Sequence, residues 1–152
     1  MFKTKKSRWI ATGVGALLIV GLVLQFTVVV VPTANRARHG GLVEQYTANP
    51  QSAEIALEKN PDDAAANEGL AQAYMAGKGG KTRDPIEAIK YFRETVRIEP
   101  DNSGAWLLLG SLLKRSGQTD EAIQIMQKLA NDKDYGQSAR KNLARWQVEP
   151  AA

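Results

Sequence analysis

The sequence predicts an all-α fold, in which an N-terminal transmembrane helix precedes a short array of helical hairpins. Three observations support it. Residues 10–31 contain no charged side chain over 22 positions. Further along, apolar residues recur at helical spacing on both sides of a polar break at residues 116–118. Two similar junctions, at residues 60–62 and 99–101, each place a proline between amphipathic segments.

The positive charge of the chain lies at its beginning. Of the 20 Lys and Arg residues, four are Lys3, Lys5, Lys6 and Arg8, and the other 16 equal the 16 Asp and Glu in number. A chain of 152 residues has room for one modest domain, and that domain is neutral overall. Residues 1–8 are therefore predicted to be a basic cytoplasmic tail, and nucleic acid is not an expected partner.

Residues 9–31 are predicted to be a transmembrane signal-anchor helix. At about 1.5 Å per residue the charge-free run would extend roughly 33 Å, which matches a bilayer core. Trp9 stands where interfacial aromatic residues are common, and Pro32 ends the run. A cleaved signal peptide and a buried core helix are the alternatives. The length, the lack of a small-x-small cleavage site and the lack of a polar face favour a retained anchor.

The charges around the span predict its orientation. Four positive residues precede it and only Arg36 and Arg38 follow closely, which places the N-terminus in the cytoplasm. The array is then periplasmic or extracytoplasmic, on a single-pass protein of the inner (plasma) membrane. Residues 32–50 are predicted to be a linker, in which Leu42, Val43 and Tyr46 form a short helix.

Capping signals predict where the helices of the array begin. Asp84, followed by Pro85 and Glu87, has the pattern of a capping box with proline at the first helical position. Ser52 and Thr119 would start two further helices, and the last helix would cover about residues 135–147. The remaining starts are at Asp62 or Asp63, with that helix running to about Ala76, and at Asn102 or Ser103.

The segment at residues 100–129 has the pattern of a helical hairpin. Leu109 and Leu113 precede the break, and Ala122 and Met126 follow it at helical spacing. The small residues Gly110 and Ala122 would allow the two helices to approach closely. Trp106 and Trp146 are interpreted as core residues.

This pattern, with Trp106, Leu109-Gly110, Ala122 and the preceding Pro100, resembles the tetratricopeptide repeat (TPR). A step of ~34 residues from Leu109 reaches Leu143, again a large residue before a small one. Pro61 lies 39 residues before Pro100, and the surplus falls in a glycine-rich loop at residues 77–85. That loop makes the earlier repeat also resemble Sel-like repeats. The resemblance covers about residues 53–146 and predicts a TPR-like domain at residues 51–148, with about 2.5 repeats and a capping helix.

The sequence contains no recognisable catalytic constellation. One histidine and no cysteine exclude a Ser-His-Asp triad, a multi-His site or a Cys-ligated metal within one chain. The acidic pairs at residues 62–63 and 120–121 stand at helix starts, where the helix dipole favours negative charge. The glycine-rich loop lacks the phosphate-loop spacing. We therefore predict no enzyme, no cofactor and no metal site.

The resemblance implies that the first helix of each hairpin lines a protein-binding surface. By repeat register this surface comprises Glu68, Gln72, Met75, Leu107, Ser111, Lys114, Arg115, Lys141 and Arg145. The Lys and Asn residues with which some TPR domains hold a C-terminal carboxylate are replaced here, for example by Glu68 and Leu108.

The resemblance further implies a membrane-anchored scaffold or adaptor that binds proteins at the periplasmic membrane face. An apocytochrome-handling accessory of c-type cytochrome biogenesis is one such role. The alternative is a small structural subunit or assembly factor of a larger membrane complex. Expected partners are membrane-bound or periplasmic proteins and the lipid bilayer.

Overall fold

The structure is a computed structural model that describes residues 38–148. The predicted basic tail and membrane span lie outside these residues. Within residues 38–148, no helix is both long and apolar enough to cross a bilayer. A compact unit begins at Gly40.

Every regular element between residues 38 and 148 is an α-helix, which confirms the all-α prediction for this part of the chain. Helix α1 covers residues 38–48, so the short helix predicted to contain Leu42, Val43 and Tyr46 is present, and it begins before Gly40 and Gly41. The others are α2 (Pro50–Lys59), α3 (Ala64–Ala76), α4 (Pro85–Ile98), α5 (Ser103–Arg115), α6 (Thr119–Leu129) and α7 (Gly136–Val148).

Three of the residues predicted as caps do cap the N-terminus of a helix through their side chains. Asp63 accepts a hydrogen bond from the Ala66 N–H at 3.0 Å, and Asn102 accepts one from Ala105 at 3.0 Å. Asp84 accepts from the N–H groups of the second and third residues of α4. Each bond satisfies an N–H that has no partner within its own helix.

The predicted start of α2 at Ser52 is wrong. The helix begins at Pro50, and the Ser52 N–H donates to the Asn49 carbonyl at 3.1 Å. Proline is favourable at the first helical position because its φ is fixed near the helical value and its missing N–H would have no partner there. Pro50 itself is buried.

From α2 onward each helix packs against the next along the chain, and α3–α4 and α5–α6 form hairpins. A Cβ at Gly110 would lie 2.7 Å from Met126 Cε and 3.1 Å from Ile125 Cγ2, so α5 and α6 approach as closely as predicted. The main core is formed by buried residues from α3 to α7, among them Phe92, Leu109, Leu113, Ala122, Met126, Leu129, Ala139 and Trp146.

Trp106 does not fill the core as predicted. It is only partly buried, and it packs against the edge of the main cluster. Its Nε1–H donates to the Pro100 carbonyl at 3.0 Å, and the Lys128 ammonium lies 4.8 Å from the ring centroid. Trp106 therefore ties the α4–α5 turn to α5 at the surface, whereas Trp146 is 6% exposed and belongs to the core.

The glycine-rich loop between α3 and α4 is docked against α2. Gly79 has a φ of +62°, and a Cβ there would overlap the Pro50 ring. Lys81 forms an ion pair with Glu54 of α2, and its ammonium lies 5.2 Å from the Tyr74 ring centroid. The inserted residues thus hold α2 against the first complete hairpin.

Candidate protein-binding surface

Helices α3, α5 and α7 are the first helices predicted to line the binding surface, and we call their exposed side the first-helix wall. The Asn102 side chain, which caps α5, donates to Glu68 Oε2 of α3 at 2.9 Å. Ser103, at the start of α5, donates to Asp132 Oδ2 in the turn before α7 at 2.6 Å. These bonds join α3 to α5, and α5 to the turn before α7, at their amino-terminal ends.

On α3, two of the three predicted surface residues, Glu68 and Gln72, are joined by a hydrogen bond. The Glu68 side chain is buried, with 9% of the residue exposed, and accepts hydrogen bonds from Gln72 Nε2 at 3.1 Å and from Asn102. Met75 is partly buried and packs against the main core. Glu68 thus joins two repeats, a role that the sequence does not predict, although its separation of 34 residues from Asn102 equals the repeat period.

On α5, Leu107, Ser111 and Lys114 are partly buried and Arg115 is exposed. The Ser111 hydroxyl donates to the Leu107 carbonyl at 2.8 Å, a bond inside the helix. Leu107 packs against the core with part of its side chain, as does Leu108 beside it. The centre of the wall is therefore partly apolar.

On α7, Lys141 and Arg145 are exposed. Asn142, between them, places its Nδ2 3.8 Å from Met126 Sδ of α6 and accepts from Arg145 Nη2 at 3.4 Å. Ala139 and Trp146 are buried in the core. Since Lys141 and Arg145 are separated from these buried positions around the helix, α7 presents its two cations to solvent.

The second helices carry cations in a different environment. Arg93 of α4 pairs with Glu121 at 2.7 Å, and Arg97 pairs with Glu94 at 2.7 Å. By contrast, within residues 38–148 no carboxylate oxygen lies within 4.0 Å of the cationic groups of Arg115, Lys141 or Arg145. The wall therefore has positive charge that its described surroundings do not neutralise.

The turn before α7 contains an acidic group with an altered pKa. The Asp132 side chain accepts from the Ser103 hydroxyl and from the Tyr135 N–H, and these bonds lower the pKa of its carboxyl group. Both donors favour the charged form of the carboxylate. In the described part of the chain, no group of three or more His, Cys, Asp or Glu residues is arranged to hold a metal ion.

Successive helical hairpins that pack in chain order are typical of a helical repeat protein. Residues 81–144, which include α4, α5, α6 and most of α7, match a family model described as tetratricopeptide repeat. No curated protein matches the chain. The match supports a tetratricopeptide repeat in that region, as the sequence predicts, while the Sel-like character of the earlier repeat stays a prediction.

Proposed function

We propose that this protein is a scaffold or adaptor that binds other proteins through the first-helix wall. The observation that carries the proposal is the tetratricopeptide-repeat match over residues 81–144. The bonds Glu68–Asn102 and Ser103–Asp132, which connect α5 to α3 and to the turn before α7, support it. Arrays of this kind present extended surfaces to their partners. Leu107, Ser111 and Arg115 supply apolar, polar and charged groups on the central helix of the wall.

We further propose that residues 9–31 anchor the array to the inner membrane, with the array on the periplasmic side. The charge-free run and the basic residues before it support this. An anchor confines the array to a thin layer at the bilayer. It raises the effective concentration of the array for membrane-bound partners without adding any contact.

The test is capture of the native partner by the full-length chain purified in mild detergent. The variant carries Leu107→Ala, Ser111→Ala and Arg115→Ala, and the matched control carries Ile55→Ala, Lys59→Ala and Gln124→Ala, which are exposed positions on α2 and α6, outside the wall helices. We expect the first variant to lose capture and the control to retain it, with equal helical content by circular dichroism. Full capture by the folded wall variant would place binding elsewhere.

The same purification separates the two specific roles that the TPR resemblance implies. A permanent subunit or assembly factor of a membrane complex would be recovered in a fixed stoichiometry with its partners. An accessory that handles apocytochromes would be recovered with transient clients in variable amounts. Deleting residues 1–31 should weaken capture in either case, and an excess of the truncated chain should restore it.

A further inference from the structure

The positive charge of the first-helix wall is concentrated on two of its three helices. Arg115 ends α5, and Lys141 and Arg145 lie on α7. All three are exposed, and none has a carboxylate partner among residues 38–148. A group of cations that is not neutralised locally attracts negative charge and accelerates its encounter.

Apolar surface lies beside these cations. Leu107 and Leu108 are partly buried on α5, and the repeat period puts Leu107 level with Lys141 and Ser111 level with Arg145. Glu68, the carboxylate predicted on this wall, is on α3, one repeat before α5 and two before the cations of α7, and is held by two side-chain amides. Glu68 is therefore poorly positioned to neutralise the cations Lys141 and Arg145 on α7.

We propose that the part of the wall formed by α5 and α7 binds a partner segment in which acidic residues flank an apolar residue. This inference rests on the proposed function and specifies the chemistry of the partner. The acidic side chains would lie against Lys141, Arg145 and Arg115, and the apolar side chain would cover Leu107 and Leu108. Ser111 and Asn142, on the same two helices, carry polar groups that suit the backbone of a peptide.

Anionic lipid is the other ligand that such cations attract. A bilayer binds cations beside an apolar face that can insert among its acyl chains. Leu107 and Leu108 are partly buried and packed against the core, so they form a small apolar site and not an inserting face, which favours a peptide.

The probe is a fluorescein-labelled synthetic peptide, Gly-Asp-Glu-Leu-Glu-Asp-Leu-Gly, titrated with the full-length chain in mild detergent. Two matched peptides carry Asn and Gln for the acids, or Ser for the leucines. We expect the anisotropy of the first probe to rise on binding and both matched peptides to bind about tenfold more weakly. Binding that is independent of the acids or of the leucines would overturn the proposal.

Charge reversal on the protein locates the site. Lys141→Glu with Arg145→Glu should weaken probe binding about tenfold, because each change replaces an attraction with a repulsion. Lys59→Glu with Arg83→Glu alters the net charge equally at exposed positions on α2 and in the loop between α3 and α4, and this control should bind the probe like the parent chain. Equal weakening by both pairs, or no weakening by the first, would overturn the proposal.

Protection of Lys141 from an amine-reactive label distinguishes peptide from bilayer. We expect the probe to protect Lys141 in vesicles of neutral lipid. Protection of Lys141 by anionic phosphatidylglycerol vesicles without probe would assign the cations to the membrane and overturn the proposal of a peptide ligand. Failure of the probe to bind, with capture of the native partner intact, would refute this inference and leave the proposed function standing.

Discussion

At residue 110, the closeness of α5 to α6 leaves no room for a side chain. Even a Cβ would lie 2.7 Å from Met126 Cε, so Gly110→Leu forces the two helices apart and should lower the free energy of unfolding by about 1–3 kcal/mol. Gly41 of α1 has nothing within 4 Å of its Cβ position, and Gly41→Ala should stabilise by up to about 1 kcal/mol. Thermal unfolding followed by circular dichroism measures both. Equal melting temperatures for Gly110→Leu and the parent chain would contradict the hairpin packing.

Two aromatic residues, Phe92 and Trp106, should differ in their effect on stability because they differ in burial. Phe92 is fully buried, and Phe92→Ala should cost about 3–5 kcal/mol through the cavity that it leaves. Trp106 is only partly buried, so Trp106→Ala should cost less and should loosen the turn at Pro100, whose carbonyl it binds. Denaturant unfolding gives the two free energies. An equal or greater loss of unfolding free energy for Trp106→Ala would indicate that Trp106 is part of the core.

The hydrogen bond between Ser103 and Asp132 should be detectable as a shift in pKa. Because the hydroxyl stabilises the carboxylate, Ser103→Ala should raise the pKa of Asp132 towards its ordinary value. A lowered pKa in the folded state stabilises the fold at neutral pH, and that contribution is lost as the pH falls through the folded-state value. Titration of the Asp132 side chain by NMR, with Ser138→Ala as an exposed control, tests this. An unchanged pKa would show that the hydroxyl bond is unimportant.

At the scale of the element, the helix caps could be predicted from the sequence because they depend on residues only a few positions apart. Asp63, Asp84 and Asn102 were predictable as caps because a cap bonds N–H groups two or three residues ahead. The start of α2 was not, because Pro50 fits the first helical position and displaced Ser52 from the cap.

The docking of the glycine-rich loop on α2 was also beyond local reasoning. The ion pair between Glu54 and Lys81 joins residues 27 positions apart, and nothing in either sequence neighbourhood indicates it. The loop length predicted an insertion, and its contact with Pro50 required the fold.

A pair of adjacent glycines isolates the contribution of that contact. Gly79 and Gly80 both have positive φ, so alanine at either position costs about 1–2 kcal/mol in backbone strain. Only at Gly79 would the new Cβ also overlap Pro50, whereas Gly80 has nothing within 4 Å. We therefore expect Gly79→Ala to be the more destabilising and to speed hydrogen exchange in α2. Equal effects of the two substitutions would show that the loop does not hold α2.

At the scale of the whole molecule, the repeat period determines what the sequence can predict about the wall. Since each repeat contacts mainly its neighbours, one period of ~34 residues makes Leu107 and Lys141 equivalent positions of successive repeats. The period does not predict which side chains of the wall remain available to a partner and which are engaged in contacts within the fold. Glu68, predicted as surface, is buried and held by Gln72 and Asn102, an outcome that depends on contacts between helices.

The orientation of the chain in the membrane is a prediction for the whole molecule. A reporter that is active only in the periplasm, fused after Ala152, should be active, because the charge bias before residues 9–31 is expected to keep the N-terminus in the cytoplasm. Replacing Lys3, Lys5, Lys6 and Arg8 with glutamine removes that bias and should give mixed orientations, with reporter activity reduced. Neutralising Lys133 and Arg140, far from the span, is the control and should change nothing. Activity only from a cytoplasmic reporter would contradict this topology. It would place the first-helix wall in the cytoplasm, where its partners would be cytoplasmic proteins.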